Sequence, residues 1–255
     1  MPETVFITGA SSGIGAELAR QYSRRGALVG LVGRSREKLD AVAATLAGKS
    51  FVYAADVTDL AAMQSAARDF TERAGVPDVV IGNAGISTGS LTEHADDYPI
   101  FCETLATNVN GLAASFQPFI SPMRERRRGT LVGIASVAGI RGIPGASAYS
   151  ASKAAAISYL ESLRLELRGN GVAVVTIAPG FIATPMTEKN PYRMPFILGV
   201  EDAVSRFIRV IDAKKSFAIV PWQMAIMGNL LRCLPNFLYD RLLAGRPRKP
   251  RRSKT

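Results

Sequence analysis

Residues 4–15 restrict the fold more than any other stretch of this chain. An apolar run at 4–8 leads directly into Gly9-Ala10-Ser11-Ser12-Gly13-Ile14-Gly15. Residues 16–25 follow, with Ile14, Leu18, Ala19 and Tyr22 at helical spacing. Strand, glycine turn and helix in that order is the setting a phosphate-binding loop requires. Glycines let the backbone approach an anion, and the helix amino terminus offers free N–H donors. The spacing is Gly-x-x-x-Gly-x-Gly, not the more familiar Gly-x-Gly-x-x-Gly.

The same alternation continues along the chain. Residues 27–32, 51–55, 79–81, 130–135, 172–177 and 217–220 read as strands; 60–73, roughly 98–127, and 148–168 read as helices. Near-continuous apolar strands alternating with helices call for a parallel sheet covered on both faces. At 255 residues without an interdomain linker, one α/β domain is expected.

Residues carrying chemistry cluster at the strand ends. After the second strand stands Gly33-Arg34-Ser35, where an NAD-binding unit would carry an acid for the ribose. An arginine without that acid favours a 2′-phosphate, hence NADP(H); Ser35 also suits a helix N-cap, with Glu37 in the first turn. The third strand runs into Asp56-Val57, and the fourth into Gly82-Asn83-Ala84-Gly85. Ser136 ends the fifth strand, where open α/β sheets place ligands. Tyr149 and Lys153, four residues apart, share one face of the following helix. A phenol titrates near ~10, and a neighbouring ammonium is expected to lower that value.

These motifs, in this order and on these elements, resemble the short-chain dehydrogenase/reductase family over residues 4–190. Thr8 to Gly15 is similar to its cofactor loop, Asn83-Ala84-Gly85 to its Asn-Ala-Gly motif, and Pro179-Gly180 to the turn beside the nicotinamide. Gly82 departs from the family, which often has another asparagine there. The resemblance implies a single-domain, Rossmann-type, doubly wound sheet of about seven strands, with helices on both faces and a C-terminal helical extension. It aligns Asn108, Ser136, Tyr149 and Lys153 with the catalytic tetrad. Tyr149 would exchange the proton and Ser136 would bond the carbonyl oxygen. Lys153 would hold the nicotinamide ribose, and Asn108 a water linking Lys153 to solvent. Cofactor contacts are expected from Gly9, Ser11, Ser12, Gly13, Ile14, Gly15, Arg34, Ser35, Asp56 and Val57. Asn83, Ala84, Gly85, Tyr149, Lys153, Pro179, Gly180, Ile182 and Thr184 complete the set. The implied activity is NADP(H)-dependent interconversion of a carbonyl and a secondary alcohol, in a homodimer or homotetramer. Residues 181–199, with Met186, Tyr192, Met194 and Phe196, are expected to cover a hydrophobic substrate.

Rival functions find less support. Gly-x-Ser-x-Gly occurs at 9–13 and at 85–89, but the sole histidine, His94, would have to serve as a hydrolase base from a polar loop. A silent NADP-binding scaffold or sensor would keep the fold, yet all four reactive groups are present. One histidine and two cysteines, Cys102 and Cys233, argue against a metal site or a disulfide framework. Residues 1–4 lead straight into a strand, so no signal peptide is expected and a cytoplasmic location is.

The net charge is +10, but six basic residues and no acid lie in 246–255, leaving +4 on the rest. Specific nucleic-acid binding is not expected, because no aromatic platform accompanies those charges. The dehydrogenase domain is read as 1–220, an apolar helical extension as 221–245, and a disordered basic tail as 246–255. In the extension Trp222, Ala225, Ile226, Leu230, Cys233 and Leu234 make one apolar face, while Met224, Met227 and Leu231 lie off it. An apolar hairpin beside clustered Lys/Arg has the composition of a peripheral membrane anchor. The same helices could instead pack over the substrate pocket or a subunit interface, and that reading carries somewhat more weight.

Overall fold

The computed structural model describes residues 3–188, 190–245 and 247–251. Seven strands form one parallel sheet: β1 (Thr4–Thr8), β2 (Leu28–Gly33), β3 (Ser50–Ala54), β4 (Val79–Gly82), β5 (Gly129–Ile134), β6 (Val172–Pro179) and β7 (Phe217–Val220). Their order is β3-β2-β1-β4-β5-β6-β7. The chain therefore winds outward from β1 in one direction, then crosses back to start again at β4. The crevice between the carboxyl ends of β1 and β4 is where such sheets receive ligands.

Side chains alternate across the sheet and divide the core in two. Val5, Ile7, Ile81, Val132 and Ile177 face one layer. There they meet α1 (Gly13–Arg24), α2 (Arg36–Ala43) and α7 (Val200–Asp212). Phe6, Val80, Leu131 and Val174 face the other, against α3 (Leu60–Ala74), α5 (Gly111–Glu125) and α6 (Ser147–Glu166). Phe6 anchors that second layer, with its ring 5.4 Å from Phe70 and 4.9 Å from Phe119, in both cases edge to face. Gly82 belongs here too. A Cβ at that position would run into Leu112 and approach Phe116 to 3.1 Å, so helix α5 already fills the volume.

The long helix expected over 98–127 is interrupted. α4 (Tyr98–Leu105) passes through a wide π-type turn at Ala106–Asn110 before α5 begins. Such turns inside helices occur often at functional sites, and this one carries Asn108.

Beyond β7, α8 (Trp222–Cys233) and α9 (Asn236–Leu243) fold back over the loop that precedes α6. Gly180 admits Met224, whose Cγ would lie 2.7 Å from a Cβ there, and Gly228 sits against Ile140. The Arg141 guanidinium donates to the carbonyls of Leu231 and Leu234, closing the end of α8, and its face stacks 3.9 Å from the Tyr239 ring centroid. The face that packs is thus the Met224–Gly228 side. Trp222, Ile226 and Leu230 form a stripe as expected, but it points outward, 61–65% exposed. Of the basic segment 246–255, expected to be disordered, Arg246 and residues 252–255 lie outside the described residues; residues 247–251 lie against the body at Lys249 and Arg251. Its partners, Ser87 and Asp97, are far away in sequence.

Candidate functional site

The glycine loop between β1 and α1 is held open by its neighbour across the switch point. Asn83 Nδ2 donates to the carbonyls of Thr8 (3.0 Å) and Gly9 (3.2 Å), and the Asn83 and Ala84 amides donate to Thr8 Oγ1. Gly9 has φ +65°, and a Cβ there would come within 2.8 Å of Ala84 Cα. No larger residue fits. Helices α2 and α3 are capped by the side chains of Ser35 and Asp59, but α1 has no side-chain cap at Ser12. Its first N–H groups open instead onto the cleft lined by Ser11, Ser12, Gly13 and Ile14. A glycine cradle and an uncapped helix start fit a pyrophosphate.

Farther along this cleft lie Gly33, Arg34, Asp56 and Val57. Ser11 Oγ is 3.6 Å from where a Gly33 Cβ would stand, so an acid there would face the loop; glycine leaves that space open. Partial burial works to raise the Asp56 carboxyl. Hydrogen bonds from the Thr58 amide and hydroxyl, with the Arg34 charge, outweigh it and hold Asp56 below the ordinary range.

The opposite end holds Ser136, Tyr149 and Lys153, together with Ala84 and Gly85. Ser136 follows β5 and accepts from the Ala138 amide at 3.1 Å, which fixes its hydroxyl near α6. The Tyr149 hydroxyl and Ser136 stand close enough to influence each other. Burial raises the Tyr149 phenol, Ser136 opposes that, and Tyr192 raises it further. Lys153 is 5% exposed, donates to the Ile134 carbonyl at 2.8 Å, and is pushed down to about 8 by desolvation. Its Nζ stands 5.8 Å from the Tyr149 ring centroid. The expected lowering of Tyr149 by Lys153 is not seen; desolvation sets the direction of both shifts.

Asn108 is buried and fully engaged. Its Oδ1 accepts from the Ile86 amide at 2.8 Å, while Nδ2 donates to the Ile86 carbonyl (3.0 Å) and to Ser152 Oγ (2.9 Å). The side chain clamps the segment after β4. Gly85 lets this clamp and Lys153 come together, since a Cβ there would stand 3.2 Å from Asn108 Oδ1 and 3.6 Å from Lys153 Nζ.

Pro179, Gly180, Ile182 and Thr184 close the cleft from β6 onward. Thr184 touches the glycine loop, with its Cβ 3.4 Å from a Cβ placed on Gly13. Two residues named for the cofactor lie outside the cleft. Gly15 packs beneath the loop against Gly9 and Asn83, and Ser35 caps α2 by accepting from Lys38 N. Met186, expected over the substrate, lines the cleft as well, and so do Ile86, Thr107 and Thr187, which the sequence had not singled out. Thr187 Oγ1 donates to the Ile182 carbonyl at 2.6 Å, and its only signal was a hydroxyl near Thr184. Ser152, the partner of Asn108, had none. Among the described residues no group of three His, Cys, Asp or Glu could hold a metal.

The short chain dehydrogenase family model matches residues 3–194. An uncharacterised oxidoreductase of Myxococcus xanthus is 40% identical over 93% of this chain and 94% of its own length. The 3-oxoacyl-[acyl-carrier-protein] reductase FabG of Thermotoga maritima is 36% identical over 89% of this chain and 96% of its own. Among solved structures, a short-chain dehydrogenase from Streptomyces avermitilis superposes with TM-score 0.81 at 26% identity, covering 90% of this chain and 92% of that one.

The buried amine gives a testable pH dependence. Lys153 titrates near 10.5 when unfolded and about 8 when folded, so between those values the unfolded chain binds the extra proton. Stability relative to Lys153→Met should then rise with pH from about 8 toward 10. Urea midpoints of the two proteins at pH 7.5 and 9.5 check this, and a constant difference would refute it.

Proposed function

The chain belongs to the short-chain dehydrogenase family, and on that premise we propose that it is an NADP(H)-dependent oxidoreductase. It interconverts a carbonyl and a secondary alcohol on a hydrophobic substrate. The observation carrying this reading is the pairing of Ser136 and Tyr149 at one end of a cleft whose other end presents Arg34, with no acid in the turn after β2.

The dinucleotide, when bound, supplies or takes the hydride at the substrate carbon. Everything else falls to the chain. Gly9, Ser12, Gly13 and Ile14 would receive the pyrophosphate with backbone N–H groups, and Arg34 and Ser11 the 2′-phosphate. Asp56 and Val57 would border the adenine, and Thr184 the amide of the nicotinamide. Ser136 and Tyr149 both donate to the substrate oxygen, and charge developing there is stabilised by donors already in place. In reduction Tyr149 passes its proton to that oxygen; in oxidation it takes the proton back. Lys153 would hold the ribose and, at about 8 still mostly protonated at neutral pH, would bring a positive charge to Tyr149. A ketone reductase among the relatives agrees with this class of reaction.

A hydrophobic substrate is supported by the flap after β6. Tyr192 lies close enough to influence Tyr149, and its ring stands 6.3 Å from Phe181. Met186, Phe196 and Ile197 are 42–50% exposed on the same flap. These residues offer apolar contact to whatever enters.

We also propose that the protein is a homodimer or homotetramer through its long helices, as the family resemblance implies. The outward stripe of α8 and α9 then remains for peripheral contact of a cytoplasmic protein with an anionic membrane. Trp222, Ile226, Leu230 and Phe237 are each more than 60% exposed, and Arg232 and Arg241 are exposed on the same helices. Apolar side chains beside cations suit an anionic lipid surface. No helix among the described residues is long and apolar enough to cross a membrane.

Four outcomes are expected. Tyr149→Phe should lower kcat by about 10²–10⁴ with NADPH affinity retained, since only the proton-transferring hydroxyl is lost; activity within a few-fold of the parent protein would contradict the mechanism. Arg34→Asp should reverse or abolish the NADP(H) preference in kcat/KM, and an unchanged ratio would exclude the assignment. Analytical ultracentrifugation should give a dimer or tetramer alone. The same protein should pellet with anionic vesicles at low salt, less so as Leu230→Glu; no pelleting would remove the membrane contact.

A further inference from the structure

The described end of the chain makes contacts that the reaction does not call for. Segment 247–251 runs beside the stretch that leaves β4, and Gly89 pairs with Arg251 in parallel. On the other side of that stretch Ser90 pairs with Ala146, its amide donating to the Gly145 carbonyl at 3.2 Å. Tyr149 follows three residues later. The tail is thus the outermost member of a small ladder whose inner member starts the helix bearing Tyr149 and Lys153.

Side chains lock this ladder. Arg251 donates side-on to Asp97, Nε to Oδ2 at 2.8 Å and Nη2 to Oδ1 at 3.0 Å. Asp97 is 4% exposed and also accepts from the Leu91 amide at 2.8 Å, so its charge depends on the tail for a counter-ion. Lys249 Nζ donates to Ser87 Oγ at 2.9 Å. Two glycines make room. A Cβ on Gly89 would strike the main chain of Lys249 and Pro250, and one on Gly145 would lie 2.8 Å from Arg248 Cβ.

We propose that the C-terminal segment is a strap that fixes residues 85–97 against the loop before α6, with Arg251 and Lys249 as positioning residues for the substrate end of the cleft. Resting on the proposed function, the consequence is a division of labour. The inner end of 85–97 is clamped by Asn108 at Ile86, and its outer end by the tail at Ser87, Gly89 and Asp97. Substrate binding needs both clamps. The dinucleotide cradle at Gly9–Gly15 and Arg34 lies at the other end and needs only the first.

The test compares the full-length protein with a version ending at Gly245, with Arg251→Ala, and with the charge-swapped pair Asp97→Arg/Arg251→Asp. Hydrogen exchange of residues 86–97 should quicken about tenfold or more in the first two variants, as when an ion pair closing a segment is lost, and recover in part in the swap. Exchange in β1, β4 and β5 should stay as it was. NADPH affinity, read by fluorescence titration, should change less than about twofold. KM for a reducible carbonyl should rise about tenfold, with a smaller change in kcat. If exchange at 86–97 is unaltered in both variants, or the whole sheet exchanges faster with it, the strap is refuted. If the full-length protein reduces no carbonyl, the proposed function falls instead, and the exchange data still decide the strap.

Discussion

Everything at the carboxyl edge of the sheet depends on the Asn83 amide between β1 and β4. Its two bonds to the Thr8 and Gly9 carbonyls hold the glycine loop at the one place where the winding reverses. Adjacent parallel strands elsewhere are tied by their ladders, but past Ile7 and Ile81 the β1–β4 ladder has ended. A side chain must take over. By satisfying two buried carbonyls it leaves the N–H groups at the start of α1 free for an anion. Gly9 and Gly15 are small because this bridge and the backbone around it occupy the space where their side chains would be.

The second constraint is desolvation. Lys153 is buried beside Tyr149 and donates to the Ile134 carbonyl, and both groups shift toward their neutral forms. A neutral phenol is a donor, which suits the reductive direction. Polar groups brought into the cleft would offset the desolvation, and the Lys153 charge could then act on Tyr149 at full strength. On the proposed function, the same pair would serve as donor or base according to what occupies the cleft.

The C-terminal helices reconcile two readings that compete in the sequence. Helix α8 packs on Gly180 and Ile140 through Met224 and Gly228, while Trp222, Ile226 and Leu230 face outward. A helix apolar nearly all round can do both, burying one side and offering the other. Arg141 gives this extension a polar anchor by donating to the carbonyls that end α8.

Much of the fold was legible because its signals are local. Five strands fall within about two residues of their expected bounds and β1 and β7 on them, since apolar runs ended by glycine or asparagine leave little choice. Ser136, Tyr149 and Lys153 were named from strand end and helix spacing, and the chain brings them to one cleft. The amphipathic repeat of Val204, Phe207, Ile208 and Ile211 was equally local and yet left unassigned; it forms α7. Other features depended on partners distant in sequence. The π-type turn at Asn108, its clamp on Ile86, the direction of the Tyr149 shift, the outward face of α8 and the docking of Arg251 on Asp97 all followed from tertiary contacts. Composition and periodicity determine which residues can form strands, helices and a proton-transfer pair. Burial, and the dielectric that comes with it, exists only once remote segments have met, so it decides charge state, orientation and closure.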